Sequence, residues 1–200
     1  MVLTNQIAVA KGVLKESINI HQGLIDQCQQ GNRQALNQVY NLYSSAMYSV
    51  SLRITNQVED AEDILQESFV SAFKNINTYR SEASFGAWLK RIVINKSLNH
   101  VKKKKWEFSG MQEETFHNLP EEAENAELEY TVNDVKQALK ELPDGYRVIF
   151  TLYYFEDFSH LEIADHLNIS VSTSKSQLHR AKQKLKERII NTRSHGQRQA

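Results

Sequence analysis

Apolar residues recur at the three- or four-residue spacing of an α-helix through two blocks of the chain, about 21–105 and 132–191. Strand-like alternation is almost absent from these blocks. The 200 residues include only seven Gly and two Pro, too few for the many turns of a β-sandwich or barrel. Residues 107–129 are acidic and poor in bulky apolar residues, which is typical of a flexible linker. The pattern therefore predicts an all-α protein with two small helical domains joined by an acidic flexible linker.

The domain boundaries are expected where this periodicity stops. The first domain is predicted at residues 20–106, the linker at 107–130 and the second domain at 131–192. The N-terminal extension, 1–20, and the tail, 193–200, are expected to be frayed.

Breakers and caps divide the first domain into helices, and Gly31 with Asn32 is expected to end one helix and start the next. These are predicted from Gln34 to about Ile54, from about Val58 to Lys74 and from about Phe85 to Lys104, with a polar loop at 75–84. In the second domain, Pro143 is expected to separate the first two helices, because proline cannot continue a helix from the preceding turn.

Composition narrows the class of protein. No apolar run approaches the roughly 18 residues that a membrane-spanning helix needs, and the longest run, 148–155, is interrupted by Thr151. The first residues lack the basic-then-apolar order of a secretory signal. The single cysteine, Cys28, excludes an internal disulfide and fits a reducing compartment. We therefore expect a cytoplasmic protein without membrane insertion.

Charge is sorted along the chain, although the formal net charge is zero. Residues 102–105 are four consecutive lysines, and 107–134 contain nine acids and no Lys or Arg. From residue 172 to the end, eight Lys or Arg accompany one acid, Glu187. Different segments are therefore expected to bind partners of opposite charge.

Residues 159–188 have the signature of a helix-turn-helix. Ser159 and Glu162 form a capping-box pattern that starts one helix, and Asn168 is suited to the left-handed conformation that ends it. A second helix is expected from about Ser172. The small Ala164 would let the two helices cross closely.

The outer face of that second helix is rich in hydrogen-bond donors. Its side chains suit phosphates and base edges in the major groove, although a solvated basic helix would show the same face. The residues expected to contact duplex DNA are Ser172, Thr173, Lys175, Ser176, His179, Arg180 and Lys182.

The predicted helix 58–74 has an apolar side and an acidic side. Val58, Ala61, Leu65, Phe69 and Ala72 gather on one side at 100° per residue. The opposite side carries carboxylates and no base. It would be either solvated or a docking face for a positively charged protein. Its members are Glu59, Asp60, Asp63, Gln66 and Glu67.

The predicted helix from Phe85 combines aromatic, amide and basic residues beside the polar loop. Aromatic rings and cations together suit single-stranded nucleic acid, whereas Phe85 and Trp88 taken alone would more often be core residues. The candidate contacts are Tyr79, Arg80, Phe85, Trp88, Lys90, Arg91, Asn95, Lys96, Asn99, Lys102 and Lys103.

The sequence contains no pattern typical of a catalytic site or a metal site. The pairs His21 with Cys28 and His160 with His166 lack the ligand number and spacing of a metal site. No glycine-rich nucleophile elbow or phosphate loop is present in the sequence. We expect no enzyme activity, no cofactor, no metal and no small-molecule substrate.

Five segments are similar, in the same order, to successive signatures of one family. They are "GNRQALNQVYNLY", "DAEDILQESFVSAF", "FGAWLKRIVINKSLNHVKKK", "LKELPDGYRVIFTLYYFEDFSHLEIADHLNIS" and "TSKSQLHRAKQKLK". The family is the extracytoplasmic-function sigma factors of bacterial RNA polymerase, and the resemblance covers about 20–105 and 131–190.

The resemblance implies a promoter-specificity subunit that binds core RNA polymerase and directs and melts promoter DNA. It implies that Asp63, Gln66 and Glu67, with Asp60 nearby, dock on the clamp helices of the largest subunit. The flap region is a further implied polymerase contact.

For DNA, the resemblance implies that the 75–84 loop and the helix from Phe85 melt and hold the minus-ten element. Tyr79, Arg80 and Trp88 are candidates for a flipped-base pocket. The second helix of the corner would read the minus-thirty-five element. The acidic linker would thread toward the polymerase cleft, and an anti-sigma factor is a further partner that the resemblance allows.

Two residues depart from the family pattern within "NISVSTSKSQ". Ser174 stands where an apolar residue would face the core, and its hydroxyl is expected to bond to the carbonyl four residues earlier. Gln177 stands where an arginine is usual, so a cation is expected to be missing from the DNA side. A stand-alone helix-turn-helix regulator and a helical protein-protein adaptor are the alternative functions.

Overall fold

The computed structural model describes residues 21–103 and 131–196, with side chains as far as residue 191. Within these ranges every regular element is helical, as the sequence predicts. The chain divides into two compact units, Met1–Lys104 and Lys105–Ala200. The N-terminal extension, the linker 107–130 and residues 197–200 lie outside the described residues.

The first unit is a small helical bundle. Its elements are α1 (Gln22–Gln29), α2 (Arg33–Thr55), α3 (Val58–Lys74), a 3-10 turn (Ile76–Thr78) and α4 (Phe85–Lys103). Helices α2, α3 and α4 pack against one another around fully buried side chains such as Val39, Ile54 and Leu89. The three long helices therefore share one core.

Local chemistry fixes the ends of α2. Gly31 adopts φ +82°, and the Asn32 side chain then accepts hydrogen bonds from the backbone N–H groups of Gln34 and Ala35 at 2.9 and 3.3 Å. Asn56 ends the helix in the left-handed conformation. The break predicted at Gly31 and Asn32 is confirmed.

A polar contact joins α2 to α4 within this core. Ser97 Oγ donates to the Val93 carbonyl at 2.8 Å and lies 3.2 Å from Ser51 Oγ, and both serines are fully buried. Small side chains at this crossing allow the two helices to approach closely, while the hydrogen bonds satisfy the hydroxyl groups.

The second unit contains α5 (Val132–Lys140), α6 (Asp144–Tyr154), α7 (His160–Leu167) and α8 (Val171–Gly196). Pro143 stands at the cap of α6, as predicted. Helices α5, α6 and α7 all contact α8, and the core between them includes Val148, Leu152, Ile163 and Ala181.

The helix-turn-helix prediction is confirmed by α7 and α8. Ser159 Oγ accepts from the Glu162 N–H at 3.2 Å, and the Glu162 carboxylate accepts from the Ser159 N–H at 2.8 Å. Asn168 ends α7 with φ 56°. Ala164 is buried, as the predicted close crossing requires, and Leu178 and Leu185 of α8 are buried as well.

Four details differ from the sequence-based expectation. Val58 is 50% exposed, so this first residue of α3 does not belong to the buried side of the helix. The loop at 75–84 contains the short 3-10 turn. Helix α8 begins at Val171 because the Ser170 hydroxyl accepts from the Thr173 N–H at 2.9 Å, and it continues into the segment that we expected to be frayed.

No helix within the described residues is long and apolar enough to cross a membrane.

We expect Ser159→Ala to lower the free energy of unfolding of the second unit by about 1 kcal/mol, because α7 loses its side-chain cap. Urea denaturation of the full chain, followed by circular dichroism, measures this change. Ser172→Ala is the matched control, since Ser172 is exposed, and it should shift the value by less than about 0.5 kcal/mol. Equal losses in the two variants would contradict the capping role.

Candidate functional site

The acidic face of α3, defined here as Glu59, Asp63, Gln66 and Glu67, is exposed to solvent. The opposite side of the helix packs into the core through residues such as Ile64, Leu65 and Phe69. Because α3 is amphipathic, burying its apolar side fixes the direction in which the carboxylates point. Asp63, Gln66 and Glu67 are thus available to a partner.

Two of the candidate acidic residues already meet bases from α4. Lys96 Nζ lies 3.3 Å from Glu67 Oε2, and His100 Nε2 lies 3.2 Å from Asp60 Oδ2. The sequence prediction of a face without bases was limited to the residues of α3, whereas these bases come from α4. The Glu67 side chain is 68% exposed, so its ion pair contributes at most about 1 kcal/mol and is displaced easily.

Asp60 differs from the rest of the acidic residues. Its side chain is only 18% exposed and lies between α3 and α4 beside His100. This placement suits a residue that holds the two helices together. Asp63 and Glu67 are the better placed carboxylates for an external cation.

The loop at 75–84 is fixed from both sides. Gln29 on α1 donates its side-chain N–H to the carbonyls of Ile76 and Tyr79 at 3.2 and 3.3 Å. The Tyr79 hydroxyl donates to the Ala83 carbonyl at 2.7 Å. The loop is therefore presented in a defined conformation, and sequence patterns gave no sign of the Gln29 contacts.

An aromatic cluster underlies this loop. Tyr79 packs on Phe85 and Trp88 with ring centroids 5.5 and 5.6 Å apart, and Tyr43 packs on Phe85 at 5.4 Å. Gly86 permits the close approach, because a Cβ there would lie 3.1 Å from the Tyr43 ring. Burial raises the pKa of Tyr43, and the Tyr79 phenol adds to this rise.

The cluster corrects two of the candidate DNA contacts. Tyr79 is 6% exposed and Phe85 is 4% exposed, so their rings are core residues and have no free face on which a base could stack. Trp88 is half-buried and Arg80 is exposed. These two remain accessible from the aromatic and basic set at the loop.

One side of α4 collects many of the other candidates. Residues spaced three or four apart share a helix face, and those on this outer face combine an aromatic ring, two amides and two cations. They are Trp88, Arg91, Asn95, Asn99 and Lys102. Lys103, in the last turn of α4, is exposed as well.

Lys90 and Lys96 do not belong to that outer face. Lys96 is directed toward Glu67 on α3, and Lys90 is half-buried and lies on the other side of α4 at 100° per residue. The structure therefore divides the sequence candidates on α4 between an outer face and the contacts with neighbouring helices.

The candidate DNA residues of α8 are accessible to different degrees. Ser172, Lys175 and Lys182 are exposed, whereas the other four are half-buried. The Thr173 hydroxyl is 2.8 Å from that of Ser170, and Lys182 Nζ lies 5.5 Å above the Tyr154 ring. The half-buried residues are Thr173, Ser176, His179 and Arg180.

Ser174 faces the core, as expected, but its hydrogen-bond partner differs from the prediction. It is fully buried, and its Oγ lies 2.9 Å from His160 Nδ1. Burial lowers the pKa of His160, and the nearby Lys175 and Lys182 lower it further. A serine at an apolar position signals a hidden polar partner, yet the sequence does not indicate that the partner lies 14 residues earlier.

Gln177 also contradicts its expected placement. It is 1% exposed and lies in the core of the second unit. Glutamine at this position therefore does not remove a cation from the DNA-facing side of α8. Its Oε1 atom has no hydrogen-bond partner within the described residues. The helix turn places position 177 beside Leu178 and Ala181, both of which are buried.

Metal coordination has no assembled site in the part of the chain that the structure describes. No group of three or more His, Cys, Asp or Glu side chains is close enough there to hold an ion. Cys28 is buried, and this burial raises the pKa of its thiol.

Comparison with known proteins agrees with this arrangement. Residues 39–107 match the family described as Sigma-70 region 2, and residues 133–185 match that described as Sigma-70, region 4.

Curated relatives cover most of the chain. It is 32% identical over 178 residues to the ECF RNA polymerase sigma factor SigW of Bacillus subtilis, covering 82% of this chain and 94% of the relative. It is 31% identical over 155 residues to SigM of the same organism, covering 76% and 93%. The ECF RNA polymerase sigma-E factor of Haemophilus influenzae is 26% identical, with 84% and 94% covered.

The exposed acidic helix, the loop with its aromatic cluster and the basic helix-turn-helix occur in the same order as these matches. The chain belongs to the extracytoplasmic-function sigma factors of the sigma-70 family, the promoter-specificity subunits of RNA polymerase.

Proposed function

We propose that the two units divide the work of promoter recognition, with polymerase binding and minus-ten melting in residues 20–106 and minus-thirty-five reading in residues 131–192. The observation that carries this proposal is the sorting of exposed charge. Exposed carboxylates of α3 lie in one unit, and exposed lysines of α8 lie in the other. Opposite charges at separate sites suit a protein that binds both a basic protein surface and DNA.

Asp63 and Glu67 are the proposed anchors for core polymerase, with Gln66 between them. Their helix is supported by the core beneath it, so the carboxylates keep their spacing without the partner. The Lys96 pair with Glu67 is exposed enough to be exchanged for a partner's cation at little cost. Asp60 lies between α3 and α4, 3.2 Å from His100 Nε2, and is proposed as a residue that supports the site from the side of α4.

The loop at 75–84 and the outer face of α4 are the proposed minus-ten site. Trp88 offers part of a ring for base stacking, and Arg80 lies exposed in the adjoining loop. Asn95 and Asn99 can hydrogen-bond to base edges, and Arg91 and Lys102 can neutralise phosphates. Tyr79 and Phe85 support Trp88 from below.

Helix α8 is the proposed reader of the minus-thirty-five duplex. Lys175 and Lys182 are exposed for phosphates, and Arg180 is the proposed base-reading arginine because arginine to guanine is the commonest specific contact. Ser172, Thr173, Ser176 and His179 surround it on the same helix. The short helix α7 would cross the backbone of the duplex, as the first helix of this motif does.

This role needs no catalytic group, and we propose none for the chain. The cytoplasm is the proposed location, since the polymerase and the promoter are found there. An anti-sigma factor is a further proposed partner.

Promoter-dependent transcription tests the proposal directly. Purified chain added to core polymerase should produce new transcripts from a subset of genomic fragments. A stand-alone regulator would instead bind duplex tightly without polymerase and stimulate nothing. Failure to stimulate transcription on any fragment of the organism's own genome would contradict the proposed function.

Reversing the charge of the acidic face should prevent polymerase binding. In Asp63→Lys with Glu67→Lys, two exposed carboxylates become cations that repel a basic surface, while the core beneath them is untouched. Size-exclusion chromatography should show no co-elution with core polymerase and an unchanged helical content.

The matched control for this experiment is Asp165→Lys with Glu187→Lys, which makes the same charge change at exposed positions of the second unit. It should still co-elute with core polymerase. Co-elution of the first double variant would remove α3 from the polymerase interface.

Lys175→Ala with Arg180→Ala should weaken promoter binding by the holoenzyme. Loss of a base-reading arginine costs about 1–3 kcal/mol, and loss of a phosphate contact lowers affinity for all sequences. Filter binding with a promoter fragment found in the transcription assay measures this change. Lys136→Ala, at an exposed position of α5, is the control, and an equal effect there would contradict the assignment to α8.

A further inference from the structure

A partly buried hydrogen bond connects the two helices of the helix-turn-helix. Ser174 on α8 is fully buried, and its Oγ is 2.9 Å from Nδ1 of His160, the first residue of α7. On its other side the imidazole stacks on the Tyr153 ring of α6, with centroids 4.8 Å apart and planes 28° apart. Three helices therefore meet at this imidazole.

Two cations of one helix act on the same ring. The charged groups that act on His160 are Lys175 and Lys182, both of α8, and the titratable group that it meets on α6 is Tyr153. Burial lowers the pKa of His160, and repulsion from the two lysines lowers it further. The free protein thus favours the neutral ring.

The serine hydroxyl suits either form of the imidazole. A hydroxyl can donate to a neutral Nδ1, and it can equally accept from the Nδ1–H of an imidazolium. Valine in the same space could do neither, and it would leave a ring nitrogen without a partner. Ser174 thus permits a change of protonation in a place where an apolar residue would oppose it.

We propose that His160 acts with Lys175 and Lys182 as a third cation for duplex DNA, taking up a proton when phosphates neutralise the two lysines, and that Ser174 permits this by bonding to both forms of the ring. The proposal rests on the proposed function of α8 as the duplex-binding helix. Nucleic-acid phosphate is the ligand, and the proton comes from solvent.

The direction of the pH dependence follows from linkage. DNA phosphates beside Lys175 and Lys182 offset the repulsion that lowers the pKa of His160, so the bound pKa lies above the free one. Binding then takes up a proton at pH values between the two, and affinity rises as pH falls through that interval. Each unit of pKa difference corresponds to a gain of about tenfold in affinity below both values.

The experiment is a nitrogen-15 NMR titration of the histidine rings in the full chain, with His160 assigned by comparison with His160→Gln. It is run with and without a saturating random-sequence duplex of about 20 base pairs at about 50 mM salt, where phosphate contacts are strong. We expect the duplex to raise the pKa of His160. An unchanged or lower pKa, or the absence of duplex binding, would overturn the proposal.

Two substitutions of nearly equal shape separate the effect of the Ser174 hydroxyl from the effect of packing in the buried site. Ser174→Thr and Ser174→Val add side chains of nearly the same shape, so they share any cost of fitting the buried site. With Thr the duplex should raise the pKa of His160 much as in the unchanged chain, and with Val it should raise it less. Equal rises in the two variants would overturn the role of Ser174.

The dependence of duplex affinity on pH is a second, independent measurement of the same proton uptake. The duplex affinity of the unchanged chain should rise between about pH 7.5 and 5.5, which spans the ordinary pKa range of histidine, and His160→Gln should lose part of this rise. The part that depends on His179 is identified with His179→Gln. Equal pH slopes in the unchanged chain and His160→Gln would overturn the proposal.

This inference and the proposed function fail separately. An unchanged pKa together with normal promoter-dependent transcription would remove the proton linkage alone. Lack of transcription with an intact pKa rise would remove the sigma-factor role and leave a proton-linked DNA-binding corner.

Discussion

Each helix of this protein depends on burying one apolar stripe against its neighbours. Helices α1 and α7 have only eight residues, and isolated helices shorter than about 12–15 residues are marginal in water. Their stability must come from packing, which is why Ile25 and Ile163 are almost fully buried. Once the apolar stripe is fixed inward, the orientation of the polar side is fixed as well. The candidate sites on α3, α4 and α8 are therefore consequences of the core.

Polar side chains also contact one another where the helices of the first unit cross. In the first unit, the Ser51 and Ser97 hydroxyls meet in the core between α2 and α4, and Lys96 and His100 reach the carboxylates of α3. The last two contacts connect the proposed polymerase-binding helix to the proposed minus-ten helix. A partner that engages Glu67 competes with Lys96, which lies on α4 but outside its outer face, so the contact joins the two helices and not the two binding surfaces. Because both members of that pair are partly exposed, the coupling is small and screened by salt.

Periodicity and capping chemistry predicted most of the helices, because both are local properties. The cap at Ser159, the left-handed Asn168 and the helix break at Gly31 are all present where the sequence predicts them. Among the contacts that sequence reasoning missed, those that matter most for the candidate sites join distant parts of the chain. Gln29 reaches the carbonyls of Ile76 and Tyr79, and no spacing rule relates these positions.

The candidate sites were predicted less accurately than the helices for the same reason. Tyr79 and Phe85 have the right chemistry for stacking on bases, but tertiary packing places their rings against Trp88. The resemblance to the family places Gln177 on the DNA side, because an arginine is usual at that position, yet Gln177 lies in the core. Residue type indicates what a side chain can do. Burial decides whether a partner can reach it, and burial depends on all the helices together.

Ser174 shows how a departure from the expected pattern can be informative. An unpartnered buried hydroxyl costs about 1–3 kcal/mol, so a serine at a core position destabilises the corner unless a partner is present. Here the partner is a half-buried imidazole, whose charged form is disfavoured by burial and by two lysines. If packing alone mattered, an apolar pair would serve this crossing better. Local rules are most often broken at functional positions, and the titratable member of this pair, His160, is acted on by the two lysines that are proposed to meet DNA.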